Sequence, residues 1–296
     1  MEFKSGFVTI IGRPNVGKST LVNSLVGEKL TITSSKAQTT RNQIRCIINT
    51  ENSQIVLIDT PGIVDKVENK LGNFMDKYSK IDVNSIDITL FVIEPDKTIG
   101  KMDKEIIKRL QGDVFLIINK IDKIAKEEVL QVIDIYKNTY PFKEILPISA
   151  LKNETYNLVD LIENYLQDGP KYFSDNMITD QPERQIAAEF IREKLLRNLE
   201  EEIPHGVAVE ILKMKKRDNK NLVDIDATIY CEQDSHKGII IGKNGDLIKK
   251  IGTEARRDIE NLLGSKIFLQ TKVKTKKNWR NNDIILKNLG YADNLN

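Results

Sequence analysis

Short apolar runs alternate with longer helical segments from residue 7 to about residue 166, and no other feature of the chain constrains the fold as much. Short apolar runs separated by helical segments predict βαβ units and a mostly parallel sheet with helices on both faces. The predicted strands span residues 7–11, 45–50, 54–58, 88–93, 114–118 and 144–148. We therefore expect an α/β fold in this part of the chain.

A second folding pattern begins after a polar stretch that contains Pro170 and shows no periodicity, which is typical of a linker. Beyond this stretch the chain predicts the order α-β-β-α-α-β, and the first helix has apolar residues at three- and four-residue spacing. We predict an α/β domain over residues 1–168, a linker over 169–181 and an α+β domain over 182–296.

Charge is distributed unevenly along the chain. The 296 residues include 45 Lys and Arg against 43 Asp and Glu, a net charge of +2. Residues 235–287 alone hold 13 Lys and Arg against 5 Asp and Glu, a net charge of +8. A concentrated basic segment favours nucleic acid as a partner, although a solvated lysine-rich surface would have the same composition.

Composition and patterning exclude several classes of protein. Hydrophobic residues make up 40% of the chain, which is typical of a globular protein. The longest apolar runs are far shorter than the roughly 18 residues that a membrane span needs. The first residues show no signal-peptide pattern, so we expect a cytoplasmic protein. Cys46 and Cys231 lie far apart without CxxC spacing, and we expect both to be reduced core residues.

A glycine-rich loop of the form GxxxxGK[ST] follows the first predicted strand and opens a helix. In this context the backbone N–H groups of the loop turn inward and cradle phosphates. The Lys18 ammonium would reach the β and γ phosphates, and the Ser19 hydroxyl would ligate Mg²⁺. The loop consists of Gly12, Arg13, Pro14, Asn15, Val16, Gly17, Lys18, Ser19 and Thr20.

A second motif, made of Asp59, Thr60, Pro61 and Gly62, follows the strand predicted over residues 54–58. It places a carboxylate at the carboxyl end of a strand, where ligands of open α/β sheets bind. Asp59 can hold Mg²⁺ through water, and the Gly62 N–H can contact the γ-phosphate. An ordinary turn is the alternative, but the order and spacing after the glycine-rich loop favour a site.

A third motif selects the base and consists of Asn119, Lys120, Ile121 and Asp122. A carboxylate at Asp122 accepts hydrogen bonds from guanine N1–H and the 2-amino group, a donor pair that adenine lacks. GTP is therefore favoured over ATP. A further group would close over the base with a backbone N–H to guanine O6. It consists of Ser149, Ala150 and Leu151.

The polar sequence QTTR, residues 38–41, lies between the first two motifs and precedes a predicted strand. A threonine here, Thr40, could contact Mg²⁺ only when the γ-phosphate is present, which makes the loop a candidate switch. An ordinary ordered loop is the alternative.

A GxxG sequence in the basic segment resembles the IxGxxG loop of KH domains, whose glycines let the backbone approach nucleic-acid phosphates. GxxG alone is a weak signal, but here an apolar run precedes it and a helix follows it. Bases would lie over an apolar groove that includes Ile239 and Ile241. A turn between two helices in a domain that binds nothing is the alternative. The predicted RNA contacts are Lys237, Ile239, Ile241, Gly242, Lys243, Asn244, Gly245 and Lys249.

Trp279 is the single tryptophan and lies among basic residues near the end of the chain. A large ring with one N–H can fill a core or stack on a base. We expect Trp279 to cap the core of the second domain.

Together the motifs resemble G1 to G5 of the translation-factor-related GTPases, and GRPNVGKST, QTTR, DTPG, NKID and SAL closely resemble the Era family. The resemblance extends over the whole chain. It implies an α/β P-loop G domain followed by an α+β type II KH domain, with GTP or GDP and Mg²⁺ as ligands. It also implies that Lys18, Thr40 and Gly62 act in hydrolysis and that Ser19, Thr40 and Asp59 hold Mg²⁺.

The same resemblance implies partners and a location. It implies that the KH domain binds the 3′ end of 16S ribosomal RNA and that the protein assists assembly of the 30S subunit. RNA binding would be controlled by the GTP or GDP state. The family also implies a cytoplasmic protein with peripheral association at the inner membrane face. The sequence alone does not identify a stable protein partner.

Two positions bear on the rate of hydrolysis. Many GTPases carry a water-orienting Gln directly after the DxxG glycine, where this chain has Ile63, a further implied GTP contact. A hydrophobic side chain cannot polarise water, so we expect slow intrinsic hydrolysis that RNA stimulates. The resemblance to related GTPases also implies that Asn15 ligates K⁺, which would act in the role of an arginine finger.

Two other classes of function stay open on sequence alone. The chain could be an RNA-binding module whose first domain senses GTP without turnover, as Ile63 allows. It could also be a GTPase that acts on a protein or membrane partner, with its basic segment on acidic lipid. Multiple-turnover hydrolysis with RNA would exclude the first class, and salt-sensitive binding to anionic vesicles but not to RNA would support the second.

Overall fold

The structure is a computed structural model that describes residues 2–34, 36, 39–61, 69–79, 85–218 and 221–291. The chain forms two compact units. The first unit comprises Met1–Thr31, Asn42–Ile63 and Tyr78–Asp180, and the second comprises Ile32–Arg41, Val64–Lys77 and Gln181–Asn296. Two segments from the first part of the sequence therefore belong to the second unit.

In the described part of the chain, strands and helices alternate at first and then follow a different order. The strands are β1 (Lys4–Ile11), β2 (Ile44–Asn49), β3 (Ser53–Asp59), β4 (Ile88–Ile93), β5 (Asp113–Ile118), β6 (Glu144–Pro147), β7 (Ala208–Lys216), β8 (Leu222–Cys231) and β9 (Lys266–Thr275). The helices are α1 (Lys18–Val26), α2 (Lys70–Ser79), α3 (Lys101–Ile107), α4 (Lys126–Tyr136), α5 (Leu158–Tyr165), α6 (Glu183–Asn198), α7 (Asp234–Ile241), α8 (Asp246–Leu263) and α9 (Asp283–Asn288). Within these ranges no helix is both long enough and apolar enough to cross a membrane.

The first unit is built on a sheet of strand order β2-β3-β1-β4-β5-β6, in which only β2 runs antiparallel to its neighbour. The predicted mostly parallel α/β sheet is confirmed. β1 begins earlier than predicted, at Lys4, because its polar first residues pair with β3 from Ser53 onward. Local apolar patterning does not indicate this pairing, so the prediction placed the start of the strand too late.

β3 and β5 lie almost entirely in the core of the first unit. Every residue of β3 is buried, and β5 is buried from Val114 onward. Burial without alternation is typical of parallel strands that are covered on both faces. The carboxyl ends of such strands emerge at one edge of the sheet, which is where ligands of this architecture bind.

The stretch predicted as a linker, residues 169–181, belongs to the first unit as far as Asp180. The Gln54 amide oxygen accepts from the backbone N–H groups of Tyr172 and Phe173 at 2.7 and 2.9 Å. Further along, the Ile47 N–H donates to the Ile178 carbonyl at 2.9 Å. These contacts cover residues that carry no periodicity of their own, which is why the sequence shows only a polar stretch there.

The second unit is built on the three-stranded sheet β7-β8-β9, with β7 antiparallel and β9 parallel to β8. The order α6-β7-β8-α7-α8-β9 is the one predicted from sequence. β7 reaches Lys216 and pairs with β8 on both sides of a register shift between Ile211 and Lys213. A bulge of this kind interrupts the inside-outside alternation that a regular strand shows.

Trp279 is fully buried in the second unit, as predicted. It packs in one cluster with Leu71 and Met75 of α2 and Leu286 of α9. The Trp279 indole N–H donates to the Gly206 carbonyl at 2.9 Å, which satisfies its single polar group. Cys46 and Cys231 are buried free thiols, also as predicted.

Candidate functional site

The glycine-rich loop connects β1 to α1, so the N-terminus of α1 faces into the loop. Gly17 adopts φ +100°, and a Cβ at this position would lie 2.3 Å from the Asn119 side-chain nitrogen. Only glycine fits both the backbone conformation and the space. Backbone N–H groups at a helix N-terminus are ready donors to an anion, which makes the loop suited to phosphate.

Lys18 places a positive charge inside the loop. Its side-chain nitrogen donates to the Gly12 carbonyl at 2.9 Å and to the Arg13 carbonyl at 2.8 Å. The residue is only 8% exposed, and burial lowers its pKa to about 8, against the opposing effect of Asp59. A desolvated ammonium of this kind interacts more strongly with phosphate oxygens than a lysine in water does.

Behind the loop, the Arg13 guanidinium contacts two carboxylates. It lies 2.6 Å from Asp96 Oδ2 and 3.1 Å from Asp103 Oδ2. The Arg13 side chain is thus ion-paired within the first unit, while its backbone forms part of the loop. Sequence reasoning missed both acidic residues, because neither belongs to a motif and each lies more than 80 residues from Arg13.

Asp59 and Ser19 supply oxygen atoms beside the loop. Asp59 is fully buried at the end of β3, and its Oδ2 accepts from the Ser19 hydroxyl at 3.1 Å. Its Oδ1 has no hydrogen-bond partner among the described residues. Burial raises the pKa of Asp59 to about 6, while Lys18 and Ser19 oppose the rise. An unpaired buried carboxylate oxygen next to a hydroxyl fits a hard cation such as Mg²⁺.

We expect the Mg²⁺ affinity of the GTP-bound protein to fall as the pH drops below about 6. Protonation would remove the charge of Asp59, so protons and Mg²⁺ compete for the carboxylate. A Mg²⁺ titration of hydrolysis should show a midpoint about tenfold higher for each pH unit below that value. A parallel titration of free GTP supplies the nucleotide's own contribution. If the difference between the two Mg²⁺ midpoints does not change with pH, Asp59 does not hold Mg²⁺.

Asn119 joins the loops that surround the base. Its side-chain N–H donates to the Val16 carbonyl at 2.8 Å, and its side-chain oxygen accepts from the Lys120 and Ala150 backbone at 2.8 and 3.0 Å. It is 1% exposed. One buried amide thus connects the glycine-rich loop to the segments after β5 and β6.

Asp122 and Ser149, both predicted to contact the base, are hydrogen-bonded to each other. The Ser149 hydroxyl donates to Asp122 Oδ1 at 2.6 Å, and this bond lowers the pKa of Asp122. The ionised carboxylate keeps acceptor capacity for the two donors of guanine. The Lys120 side-chain nitrogen donates to the Asn15 carbonyl at 2.6 Å and pairs with Glu94. Leu151 is 75% exposed beside these groups.

The structure brings the nucleotide motifs of the first unit together. Residues 12–20, 59–61, 119–122 and 149–151 follow β1, β3, β5 and β6 at one edge of the sheet. Thr60 and Pro61 are buried next to Asp59. Gly62 and Ile63 lie outside the described residues, as does Gln38, so their predicted roles stay predictions.

Thr40 lies in residues 32–41, which belong to the second unit and which we call the anchored segment. The Thr33 backbone N–H donates to the Glu193 carboxylate at 2.9 Å, and Arg192 donates to the Thr39 carbonyl. Both α6 side chains are fully buried. Glu193 and Arg192 are also ion-paired within α6, so charges that water does not screen hold Thr33 and Thr39.

Arg41 ends the anchored segment and is almost fully buried. Its guanidinium donates to the Val207 and His205 carbonyls at 2.8 and 3.1 Å and lies 5.7 Å from the Trp279 ring centroid. No sequence signal could have shown these contacts, because the partners are more than 160 residues away. The predicted contact between Thr40 and Mg²⁺ stays a prediction.

The GxxG loop of the second unit connects α7 to α8. Gly242 adopts φ +75°, and a Cβ there would lie 2.7 Å from Leu247 Cβ and 2.9 Å from its backbone nitrogen. Asn244 and Gly245 also have positive φ. The backbone therefore turns sharply at the start of an 18-residue helix, with Lys243 and Asn244 exposed.

The predicted side-chain contacts around this loop differ in exposure. Lys237 and Lys249 are exposed, and Ile239 is 50% exposed, whereas Ile241 is half-buried. Residues that are two positions apart in a helix are separated by about 200° around its axis. Ile239 and Ile241 therefore point in different directions from α7. The apolar run therefore does not place both side by side in one groove, and their RNA contacts stay predictions.

Fold and site together define a P-loop GTPase whose second unit is a KH domain. The family model described as a 50S ribosome-binding GTPase matches residues 7–120, and the KH domain model matches residues 202–280. GTPase Era of Clostridioides difficile (strain 630) is 56% identical, covering 98% of this chain and 99% of that protein. GTPase Era of Alkaliphilus oremlandii (strain OhILAs) is 54% identical, covering 98% of this chain and 100% of that protein. The chain belongs to the Era family, and it hydrolyses GTP.

Two solved structures of Era share the whole fold with this chain. One is the crystal structure of Era in complex with MgGDPNP and nucleotides 1506–1542 of 16S ribosomal RNA. It is 40% identical, has a TM-score of 0.92, and covers 98% of this chain and 100% of that chain. The other is a variant of Aquifex aeolicus Era bound to GDP·AlF4−, 39% identical with the same TM-score and coverage. The predicted family, fold class and GTPase activity are confirmed, which sets aside an RNA-binding module without turnover.

Proposed function

We propose that this GTPase binds the 3′ end of 16S ribosomal RNA through its KH domain and assists assembly of the 30S subunit. The observation that carries the proposal is the sharp backbone turn at Gly242, which leaves Lys243 and Asn244 exposed at the start of α8. The Era structure with nucleotides 1506–1542 of 16S ribosomal RNA supports the choice of RNA. The net charge of +8 over residues 235–287 adds attraction to phosphates.

In the first unit, the residues fit GTP and Mg²⁺. Ser19 and Asp59 would hold Mg²⁺, which neutralises charge on the phosphates when it is bound. The Lys18 ammonium stabilises charge on the same oxygens, and Asp122 holds the guanine. Thr40 and Gly62 would complete the γ-phosphate contacts. Ile63 cannot orient water, which supports a slow intrinsic rate that RNA raises.

Control of RNA binding by the nucleotide has a physical basis in the anchored segment. The segment contains Thr40, the predicted Mg²⁺ ligand, and its anchors Glu193, Arg192 and Val207 all belong to the RNA-binding unit. If Thr40 moves when the nucleotide changes, the residues of the second unit that contact the anchored segment would feel that movement directly. By linkage, if GTP tightens RNA binding, RNA tightens GTP binding by the same factor.

We further propose that Asn15 ligates K⁺ at the glycine-rich loop. Asn15 has φ 68°, and its carbonyl is fixed by Lys120, so the residue is held in one conformation. We expect hydrolysis to be faster in K⁺ than in Na⁺ and this difference to disappear in Asn15→Ala. Steady-state rates at equal ionic strength measure both. Equal rates in the two salts for the wild type would exclude the site.

The location we propose is the cytoplasm, with peripheral association at the inner membrane face. The exposed lysines around the GxxG loop could meet acidic lipid as well as RNA. Sedimentation with anionic vesicles at low and high salt tests this part separately. Absence of binding would remove the membrane from the proposal, and salt-insensitive binding would exclude the lysines as the contact.

We expect ultraviolet crosslinking in cells to place the protein on the 3′ end of 16S ribosomal RNA and Gly242→Asp to abolish those reads. The substitution strains a positive-φ position and adds a negative charge where phosphates approach. Lys243→Glu, at an exposed side chain, reverses a charge without touching the turn and should lower affinity about tenfold.

Gly252→Asp in α8 is the matched control, because a Cβ at Gly252 meets no atom within 4 Å. It should keep the reads. Reads spread over transfer or messenger RNA in the wild type would keep the GTPase and the KH domain but remove the assembly role.

A further inference from the structure

Asp103 is a fully buried carboxylate in α3, and no motif contains it. Its Oδ2 lies 3.1 Å from Arg13 Nε and accepts from the Tyr136 hydroxyl at 3.2 Å. Its Oδ1 has no hydrogen-bond partner among the residues described above. Burial raises the pKa of Asp103, and the Arg13 charge opposes that rise most strongly. A buried carboxylate of this kind is costly, so its contact with Arg13 is the interaction that compensates for it.

Tyr136 fixes the other side of Asp103. It ends α4 and is fully buried in a core cluster with Phe91, Ile106 and Val132. Side chains packed in a core change position little, because the surrounding atoms leave no free volume. The position of the Asp103 carboxylate is therefore set by the hydrophobic core of the first unit.

Arg13 transmits this position to the glycine-rich loop. Its guanidinium is held at Asp103 and Asp96, while its own carbonyl accepts from the Lys18 side-chain nitrogen at 2.8 Å. The neighbouring Gly12 carbonyl accepts from the same nitrogen at 2.9 Å. A continuous line of contacts thus runs from the core through Tyr136, Asp103 and Arg13 to the Lys18 ammonium.

We infer that Asp103 and Tyr136 are positioning residues for GTP hydrolysis, which hold the Lys18 ammonium in place through Arg13. Lys18 stabilises charge on the phosphates only if its nitrogen keeps its place to within a fraction of an ångström. Asp103 contacts Arg13 of the glycine-rich loop, and Tyr136 contacts Asp103, so each acts on Lys18 through another residue. Their effect is on the transition state, because the base contacts and the other backbone N–H groups still bind GTP without them.

Steady-state GTP hydrolysis by Asp103→Asn and Tyr136→Phe tests this role. Asp103→Asn keeps the shape but removes the charge that holds Arg13, and kcat should fall about tenfold while KM changes less than about twofold. Tyr136→Phe removes only the hydroxyl, and kcat should fall about threefold with the same KM. Tyr165→Phe is the matched control, since the Tyr165 hydroxyl donates to Glu144 at 2.7 Å outside the contacts of the loop. Its kinetics should equal those of the wild type.

Thermal unfolding of each variant separates positioning from stability. All rates are measured well below the lowest Tm, where every variant is folded. An unchanged kcat in both variants would overturn the inference, and so would parallel changes in kcat and KM that follow the loss of Tm. If Asp103→Asn does not fold, Tyr136→Phe decides alone, because loss of one hydroxyl leaves the core packing in place.

Discussion

Lys18→Met is expected to lower kcat for GTP hydrolysis by about 10³-fold. The substitution keeps most of the side-chain length and removes the ammonium that donates to the Gly12 and Arg13 carbonyls. The charge lies in a buried setting, where it stabilises developing phosphate charge far more than it would in water. GTP binding should weaken much less, because the backbone N–H groups and Asp122 keep their contacts. Single-turnover hydrolysis at saturating GTP measures the chemical step directly.

Lys104→Met is the matched control for this experiment. Lys104 is an exposed residue of α3, so its replacement removes the same charge from the same unit without touching the loop. Its rate should equal that of the wild type. Circular dichroism of Lys18→Met should be unchanged, since removal of a buried ammonium also removes its desolvation cost. A folded Lys18→Met protein with a rate within tenfold of the wild type would contradict the role of Lys18.

Asp122→Asn is expected to lower GTP affinity about 100-fold or more and to turn preference toward xanthosine triphosphate. Guanine offers two donors, N1–H and the 2-amino group, to the two oxygens of a carboxylate. Asparagine keeps one acceptor but places its NH₂ group against the 2-amino group of guanine. Both groups are donors, so this hydrogen bond is lost. Xanthine has a carbonyl oxygen at that position, which accepts from the new amide. Competition of each triphosphate against fluorescent GDP measures the change.

The control for the base is Asp134→Asn, an exposed acid of α4 that pairs with Lys137 at 2.7 Å. It removes the same charge from an exposed helix position whose ion pair involves neither Asn119 nor Ser149, and it should leave both affinities unchanged. Equal loss of GTP and xanthosine triphosphate in Asp122→Asn would show that the variant has lost the site and not its selectivity. That result would make Asp122 a structural residue.

The place of the nucleotide motifs in the first unit could be predicted from sequence because each motif directly follows an apolar strand. The loop that leads to Lys18 follows β1, Asp59 ends β3 and Asn119 follows β5. A short local pattern therefore indicates both the chemistry and its place in the sheet. The order of elements in the second unit was predictable because each element carries its own periodicity within a few residues.

Contacts between distant residues were not predictable in this way. Arg41 and Trp279 are each ordinary in their local sequence, and only the folded unit brings the guanidinium over the ring. In the sequence, Asp103 looks like any acidic residue in the first turn of a helix, where a favourable interaction with the helix dipole would be enough to explain it. Its contact with Arg13 depends on how α3 packs beside the loop, which no local pattern records. The same limit applies to the register shift in β7, because a bulge is set by the neighbouring strand.

The contacts of Arg41 bear on how a chain made from its N-terminus reaches its final form. Every residue of the first unit precedes residue 181, so its sheet can form while later residues are still being added. Arg41 is made early, but its ring partners Trp279 and Tyr291 are among the last described residues of the chain. During synthesis the sheet of the first unit can therefore form before Arg41 has its ring partners. Until those partners are made, the Arg41 side chain stays exposed to water. A chain that stops before Tyr291 would keep all of its predicted nucleotide-binding residues. Arg41 of the anchored segment would nevertheless lack one of its two ring partners.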